Sequence, residues 1–202
     1  MERIAFDYRS HGYVLCAVDT HTSHADLTGD YAAIPADMGA VAAALGQPVL
    51  RYVNYTELDG LSGFSPEVLD RARHFFFEDA RVPHMAEALR RGEMDRVLFL
   101  MNESGRSSRE LLRNVVPPSH PERTDMALAL DRAESLLDGT GAWRIHGGGF
   151  AGCIQCLVPV SAYESFRNAM DGWYGAGSCF ELRVRPCGVH VLGDGIPEVT
   201  HA

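Results

Sequence analysis

The chain has 202 residues, of which 46% are hydrophobic, enough to bury the core of one domain or of two small ones. Its net charge of −9 excludes a general affinity for nucleic acid phosphates. All 18 basic residues are arginine, so a Walker A phosphate loop and a Schiff-base enzyme, which both need lysine, are excluded. We find no apolar run long enough for a membrane span and no leader pattern at the N-terminus, and we expect a cytoplasmic protein.

The first two thirds of the chain predict two strands followed by helices, from apolar repeats of two and of three to four residues. The predicted strands cover residues 3–8 and 13–18, and a loop follows to residue 31. The predicted helices cover 35–46, 65 to about 91, about 93–112, and 119 to about 137. In the second helix, Pro83 is expected to produce a kink or an end, after which a short helix continues to about residue 91.

Local signals mark several helix ends. Ser65 can cap the second of these helices, and Pro66 suits its first turn. Ser119 with Glu122, and Ser161 with Glu164, have the spacing of a capping box. Gly residues or Asp-Gly pairs are placed to stop the helices.

The last third predicts a strand over 142–145, a Gly-rich turn, a strand over 153–158, a helix over 162–173 and a strand over 180–185. The whole chain predicts an α+β fold with helices packed on one face of an antiparallel sheet. We interpret 1–202 as a single domain, with strands and a loop over 1–31, mainly helices over 34–138, and the strand, turn, strand, helix and strand over 142–192.

The Gly-rich turn between the two strands carries more glycine than chain reversal requires. A hairpin needs positive φ at two residues at most, whereas Gly147, Gly148 and Gly149 are consecutive. Such glycines allow a close approach to the backbone. The approaching group can be a phosphate or sugar hydroxyl, or simply another strand or helix, and the spacing alone does not decide between them.

Residues 143–153, Trp-Arg-Ile-His-Gly-Gly-Gly-Phe-Ala-Gly-Cys, resemble the strand and the Thr-Gly-Gly-Gly-Phe-Gly-Gly-Cys turn of galactokinases, members of the GHMP sugar kinases. Four other segments resemble motifs of that family, in its order and near its spacing. They are Ala-Phe-Asp-Tyr-Arg-Ser at 5–10, the loop from Thr-Ser-His at 22–24 to Asp-Tyr at 30–31, Arg-Ala-Arg-His at 71–74 with Glu78, Arg81 and Val82, and Met-Asn-Glu-Ser-Gly-Arg-Ser-Ser-Arg at 101–109.

This resemblance covers almost the whole chain and implies the C-terminal domain of a GHMP kinase, with a ferredoxin-like antiparallel core. It implies a parent transferase of galactose metabolism that phosphorylates the anomeric hydroxyl of galactose with ATP and Mg²⁺. The chain also departs from the family motifs: Ile34-Pro35 replace paired arginines, His146 a threonine, Ala151 a glycine and Gly105 a histidine. We therefore expect a divergent branch.

The resemblance also implies the site residues. Tyr31 is carried over as the tyrosine that contacts the sugar, with Asp30 beside it, although Tyr31 can also be a core residue and Asp30 a helix cap. Gly147, Gly148 and Gly149 are carried over as backbone near the nucleotide phosphates or the sugar. His146 is adjacent to them and can bond a ligand or only fill the space of the family's threonine.

The family's catalytic Asp, its partner Arg and its Ser-rich phosphate loop have no counterpart in these residues. We therefore predict no catalytic residue, no metal site, no tightly bound cofactor and no turnover in this chain alone. Sugar and ATP would bind together with an N-terminal domain. The face toward that domain, near Tyr31 and the glycines, is expected to be apolar and to promote a homo-oligomer. We expect neither nucleic acid nor membrane as a partner.

Two alternatives remain for the function. The substrate can be a related sugar, such as an amino sugar or a uronic acid. The protein can also be a non-catalytic galactokinase relative that binds sugar and regulates a partner.

Two further pairs have the spacing of ligands. Cys153 and Cys156 form a CxxC pattern, which suits a redox or zinc pair or two buried strand thiols. His21 and His24 lie near acidic residues, where a metal is conceivable, but they belong to a predicted loop that leaves their orientation open.

Overall fold

The computed structural model describes residues 3–184, which form four β-strands and five α-helices. In chain order these are β1 (Tyr13–Asp19), α1 (Thr28–Ala44), α2 (Pro66–Arg91), α3 (Met94–Ser107), α4 (Asp125–Leu137), β2 (Ala142–His146), β3 (Cys153–Pro159), α5 (Tyr163–Tyr174) and β4 (Cys179–Glu181). Within this part of the chain, no helix combines the length and the apolar character needed to cross a membrane.

The strands form one antiparallel sheet in the order β2-β3-β1-β4. This order, with helices between β1 and β2 and between β3 and β4, is that of a ferredoxin-like unit. The predicted α+β class and the antiparallel sheet are confirmed.

Helices cover both faces of the sheet, so their predicted restriction to one face is wrong. Cys16 and Cys156, paired across β1 and β3, point into a core shared with α4 and α5. Leu15 and Leu157 are the next pair along the same strands and point to the other face, where they pack with residues of α2 and α3. Both sets are buried because successive side chains of a strand alternate between faces. The two helices of the ferredoxin-like unit share one face, and the additional α2 and α3 cover the other.

The outer edge of β2 is covered by α3. The side-chain amide of Asn102 donates to the Gly141 carbonyl at 3.1 Å, and its oxygen accepts from the Trp143 N–H at 3.0 Å. One side chain thus satisfies edge groups that would otherwise be open to another strand. At Gly105 an added Cβ would lie 2.6 Å from the Trp143 carbonyl oxygen. The glycine that replaces the family's histidine lets α3 lie directly on β2.

The segments that resemble the Arg-x-Arg-His and Glu-Ser motifs meet between α2 and α3. His74 Nδ1 lies 2.8 Å from the Ser107 hydroxyl, and the Ser104 hydroxyl donates to Glu78 at 2.7 Å. Burial lowers the pKa of His74 below its ordinary value. These motif residues hydrogen-bond α2 to α3.

Several predicted element bounds are wrong, chiefly around the prolines. Residues 3–8 form no strand, and α1 begins at Thr28, so the predicted start at Pro35 is too late. Pro35 and Pro83 both lie inside helices. Each proline removes one backbone donor, yet both helices continue through it.

The capping predictions have mixed outcomes. Ser65 caps α2, with its oxygen accepting from the Val68 N–H at 3.4 Å. Ser119 caps no helix, because α4 begins at Asp125, and α5 has no side-chain cap at its start. The predicted strand over 180–185 is shorter in the structure: β4 is Cys179–Glu181, residues 182–184 form no strand, and residue 185 lies outside the described residues.

Candidate functional site

The Gly-rich turn joins β2 to β3 at the end of the sheet where β1 also finishes. His146 pairs with Cys153, and Cys153 pairs in turn with Asp19 of β1. The loop after β1 therefore runs beside the turn. The Thr20 N–H donates to the Gly152 carbonyl at 2.9 Å, and the Gly152 N–H donates to the Thr22 hydroxyl at 3.0 Å. The turn and the loop are thus hydrogen-bonded to each other.

Tyr31 lies near the start of α1, and its side chain packs against the Gly-rich turn. Its hydroxyl donates to the Gly149 carbonyl oxygen, a contact between residues 118 positions apart. His24 Nδ1 lies 2.6 Å from the same hydroxyl. The Tyr31 ring packs edge-on against Phe150 at 5.3 Å between centroids, above the buried Leu27. Burial raises the pKa of Tyr31 above its ordinary value of 10.0, so the phenol keeps its proton at neutral pH.

Asn114 completes this arrangement from the segment after α3. Its carbonyl oxygen accepts from the Phe150 N–H at 2.6 Å, and its side-chain amide donates to the Gly148 carbonyl at 2.9 Å. The side-chain oxygen is buried and has no hydrogen-bond partner. We call Tyr31, His24, Asn114 and the facing Gly148 and Gly149 the Tyr31 junction.

The glycines of the turn have protein neighbours at the positions of their missing side chains. A Cβ at Gly148 would lie 2.9 Å from Cε1 of Tyr31, and one at Gly149 would lie 2.2 Å from the Asn114 carbonyl oxygen. Gly147, with φ +91°, has nothing within 4 Å of that position. Packing against the protein itself therefore accounts for two of the three glycines, and Gly147 is the one that faces open space. Their proximity to a nucleotide stays a prediction.

Asp30 is buried, and both its carboxylate oxygens are occupied. One accepts from the Ser119 backbone N–H at 3.2 Å, and the other accepts from the Ser119 hydroxyl. Asp30 thus joins α1 to the segment before α4, where the sequence predicted a capping box. His146 is exposed and bonds the Gln155 side chain through Nδ1 at 3.1 Å. The predicted roles of Asp30 and His146 toward a ligand remain predictions.

A second contact between the same segments was missed by the sequence analysis. The Arg123 guanidinium donates to both oxygens of Asp26, at 2.8 and 2.6 Å. This bidentate contact lowers the pKa of Asp26 from its ordinary value of 3.8 to about 2. No local pattern links the two residues, which are 97 positions apart. The loop that carries His24 is therefore anchored from both sides.

The two pairs with ligand-like spacing do not converge. Cys153 and Cys156 are three residues apart on a strand and face opposite sides of the sheet. His21 bonds the Ser178 hydroxyl at 2.9 Å, whereas His24 bonds Tyr31. Among residues 3–184, no group of three or more His, Cys, Asp or Glu side chains is arranged to hold a metal ion.

The exposed apolar surface does not lie where the sequence predicted it. Beside the turn, Leu27, Phe150 and Ala151 are buried. The large apolar side chains with the greatest exposure in the described part of the chain lie elsewhere; they include Tyr52, Val82, Phe99 and Val184. The prediction of an apolar face near Tyr31 and the glycines is wrong, because these side chains pack on one another.

The chain is similar to galactokinases over most of its length. No family model matches it. A galactokinase from Mannheimia succiniciproducens is 29% identical over 192 residues, which is 90% of this chain and 47% of that protein. The chain is a homologue of galactokinases. A galactokinase from Glaesserella parasuis serovar 5 is 28% identical over 161 residues, 78% of this chain and 40% of that protein.

The chain spans about half the length of the curated relatives it matches. Among solved structures, Lactococcus lactis galactokinase complexed with galactose matches 90% of this chain and 46% of its own, with a TM-score of 0.70 and 20% sequence identity. The structural likeness shows a common fold. These matches are consistent with the C-terminal part of a galactokinase-like protein.

Proposed function

We propose that the chain forms the C-terminal half of a galactokinase-type sugar kinase. The parent reaction transfers the γ-phosphoryl group of ATP to the anomeric hydroxyl of galactose and yields galactose 1-phosphate and ADP. The contact between Tyr31 and Gly149 carries the proposal. It joins the segment that the resemblance assigns to the sugar with the Gly-rich turn, which the resemblance assigns to the nucleotide phosphates or the sugar, and it does so across 118 positions.

In this proposal the chain supplies one wall of the cleft. The Tyr31 hydroxyl contacts the sugar, and the open backbone at Gly147 borders the phosphates. Phosphoryl transfer depends mostly on positioning and electrostatics, and this sequence holds no counterpart of the family's catalytic Asp or Ser-rich loop. We therefore propose that the 202-residue chain alone turns over no substrate.

Mg²⁺ belongs to the parent reaction, and it supplies positive charge to the phosphates when bound. The carboxylates nearest to the Tyr31 junction do not suit it, because Asp30 is occupied by Ser119 and Asp26 by Arg123. We assign no metal ligand to the chain, and ATP and Mg²⁺ would bind mainly through the remainder of the parent.

One observation favours a related sugar as the substrate. Where the family motif has paired arginines, this chain has Ile34-Pro35, and Ile34 packs with Leu27 and Phe150. Apolar side chains in place of arginines would change the protein groups that contact the sugar. An amino sugar or a uronic acid is therefore the second candidate.

A coupled assay with galactose and ATP tests the proposal, applied to the chain alone and to its complete reading frame. We expect no turnover by the chain alone and turnover by the complete protein, with Tyr31→Phe raising KM. Turnover by the 202-residue chain would overturn its inactivity. Turnover of an amino sugar or uronic acid in place of galactose would favour the second candidate. Sugar binding without any turnover by the complete protein would favour a regulatory relative.

A further inference from the structure

The Tyr31 hydroxyl has two hydrogen-bond partners, of which one can only accept and the other can donate or accept. The Gly149 carbonyl oxygen can only accept, so the single phenolic proton is committed to it. His24 Nδ1 lies 2.6 Å from the same oxygen. Because the phenol has no second proton, Nδ1 must carry the hydrogen and donate it. A neutral His24 therefore exists as the Nδ1–H tautomer, with Nε2 unprotonated.

The imidazole is held in place on its other side. A Cβ added at Gly152 would lie 2.7 Å from His24 Nε2, so the ring rests directly on the turn. The loop that carries His24 is anchored through Thr22 to the turn and through Asp26 to Arg123. The His24 and Tyr31 rings lie 5.9 Å apart between centroids. Although exposed, His24 is thus constrained by three separate contacts of its loop and ring.

The two hydrogen bonds determine how many further hydrogen bonds the Tyr31 oxygen can make. A phenol oxygen has one proton and two acceptor sites. The proton is used by Gly149 and one acceptor site by His24, so one acceptor site remains. Any group that Tyr31 recognises must therefore donate a hydrogen bond.

We propose that His24 is a positioning residue that holds the Tyr31 hydroxyl with its proton on Gly149 and only an acceptor site toward the sugar, so that the sugar group bound there is a donor. This inference rests on the proposed function for the contact between Tyr31 and the sugar. A hydroxyl or an ammonium group satisfies the remaining acceptor site. A carboxylate, which only accepts, does not. Galactose and amino sugars are therefore selected over a sugar with a carboxylate at the contacting position.

Imidazole nitrogen NMR of the chain tests the tautomer directly. At about pH 9, where an ordinary imidazole is neutral, we expect the His24 Nδ1 resonance to have the shift of a protonated nitrogen and Nε2 that of an unprotonated one. Signals that disappear in His24→Asn assign the residue among the 9 histidines. His84→Ala, an exposed substitution on α2, is the matched control. An Nε2–H tautomer for His24 would overturn the proposal.

Galactose titration of the same variants, made in the complete protein, tests the consequence for the sugar. We expect His24→Ala to weaken binding about tenfold, as one lost hydrogen bond implies. His24→Asn, whose amide can donate from nearly the position of Nδ1, should stay within about threefold of the unaltered chain. His84→Ala should change nothing. His24→Ala binding galactose as tightly as the unaltered chain would overturn the positioning role.

Deoxyfluoro galactoses, in each of which one hydroxyl is replaced by a fluorine that cannot donate, provide the last comparison. The analogue altered at the position that Tyr31 contacts should bind at least about tenfold more weakly than galactose. Equal binding of galactose and of every analogue would overturn the donor requirement. If galactose binds neither to the chain nor to its complete reading frame, the proposed function fails, and the nitrogen spectrum still decides whether His24 fixes the Tyr31 hydroxyl.

Discussion

The core between the sheet and α4 and α5 differs from the Tyr31 junction in what holds it together. In the core, side chains such as Leu130, Ile154 and Met170 are fully buried and purely apolar. In the junction, a phenol, an imidazole and an amide meet the backbone of a turn through individual hydrogen bonds. The first arrangement depends on buried area, which is not directional. The second depends on the position of single atoms.

Because of this difference, we expect substitutions in the core to change mainly the stability of the fold and substitutions in the turn to change mainly the geometry of the site. A smaller core side chain removes area and leaves a cavity, but the strands can still hold the turn in register. A small addition to the turn costs less buried area and displaces the atoms that orient Tyr31. The following substitutions test whether the two regions respond independently.

Leu130→Ala, in α4, should have the largest effect on stability. Leu130 is fully buried in the core, and deleting such a side chain costs about 3 kcal/mol of unfolding free energy. Urea unfolding measures the loss. The nitrogen spectrum of His24 should stay unchanged under folding conditions, because the junction does not contain Leu130.

Leu136→Ala on the same helix is the matched control. Leu136 is 39% exposed, so its loss should cost only about 0.5 kcal/mol. A Leu130→Ala protein that folds but has lost the His24 signature would show that the core and the junction are coupled.

Gly149→Ala should be the next largest change and should affect both stability and the junction. The new Cβ would lie 2.2 Å from the Asn114 carbonyl oxygen at a residue with φ +88°. Strain in the left-handed region costs roughly 1 kcal/mol, and the overlap adds about 1 kcal/mol. Urea unfolding and galactose titration of the variant measure the two consequences.

Gly147→Ala separates the cost of backbone strain from the cost of overlap with a neighbouring atom. Its φ is +91°, but its Cβ would meet nothing within 4 Å, so only the cost of about 1 kcal/mol for the backbone conformation should appear. If Gly147→Ala and Gly149→Ala cost the same, the close approach to Asn114 contributes nothing and the packing explanation of Gly149 is wrong.

Arg123→Met should have the smallest effect, and the effect should depend on pH. Asp26 has its pKa lowered by Arg123 from 3.8 to about 2. A carboxylate whose pKa is lowered by folding stabilises the folded state above its ordinary pKa, and this contribution is lost as pH falls through the folded value. The pair is exposed, so solvent screens it.

We therefore expect the urea midpoint of Arg123→Met to lie slightly below that of the unaltered chain near neutral pH. The gap should close as pH falls from about 4 to about 2. In an Asp26→Asn background the same substitution should produce no such pH dependence. A gap that persists unchanged below about pH 2 would show that Arg123 acts through contacts other than Asp26.

Local patterns in the sequence determined much of the framework. Short apolar runs bounded by turn residues predicted β1, β2 and β3 within about two residues, since the turn residues mark where each run ends. Ser65 and Pro66 predicted the start of α2, because the signals for a helix start lie within one turn of it. The resemblance to galactokinases, and with it the expected importance of Tyr31 and the Gly-rich turn, was likewise readable from ordered motifs.

The tertiary structure alone decided how the Tyr31 junction is built. Asp30 meets Ser119 across 89 positions, and Tyr31 meets Gly149 across 118. No local pattern encodes such pairs, so the sequence placed Asp30 and Tyr31 in a loop and Ser119 at a cap. The three glycines signalled a close approach, but only the folded chain shows that Tyr31 and Asn114 approach two of them. Spacing reports the conformation that a backbone can adopt, whereas the neighbour that fills the space depends on the whole fold.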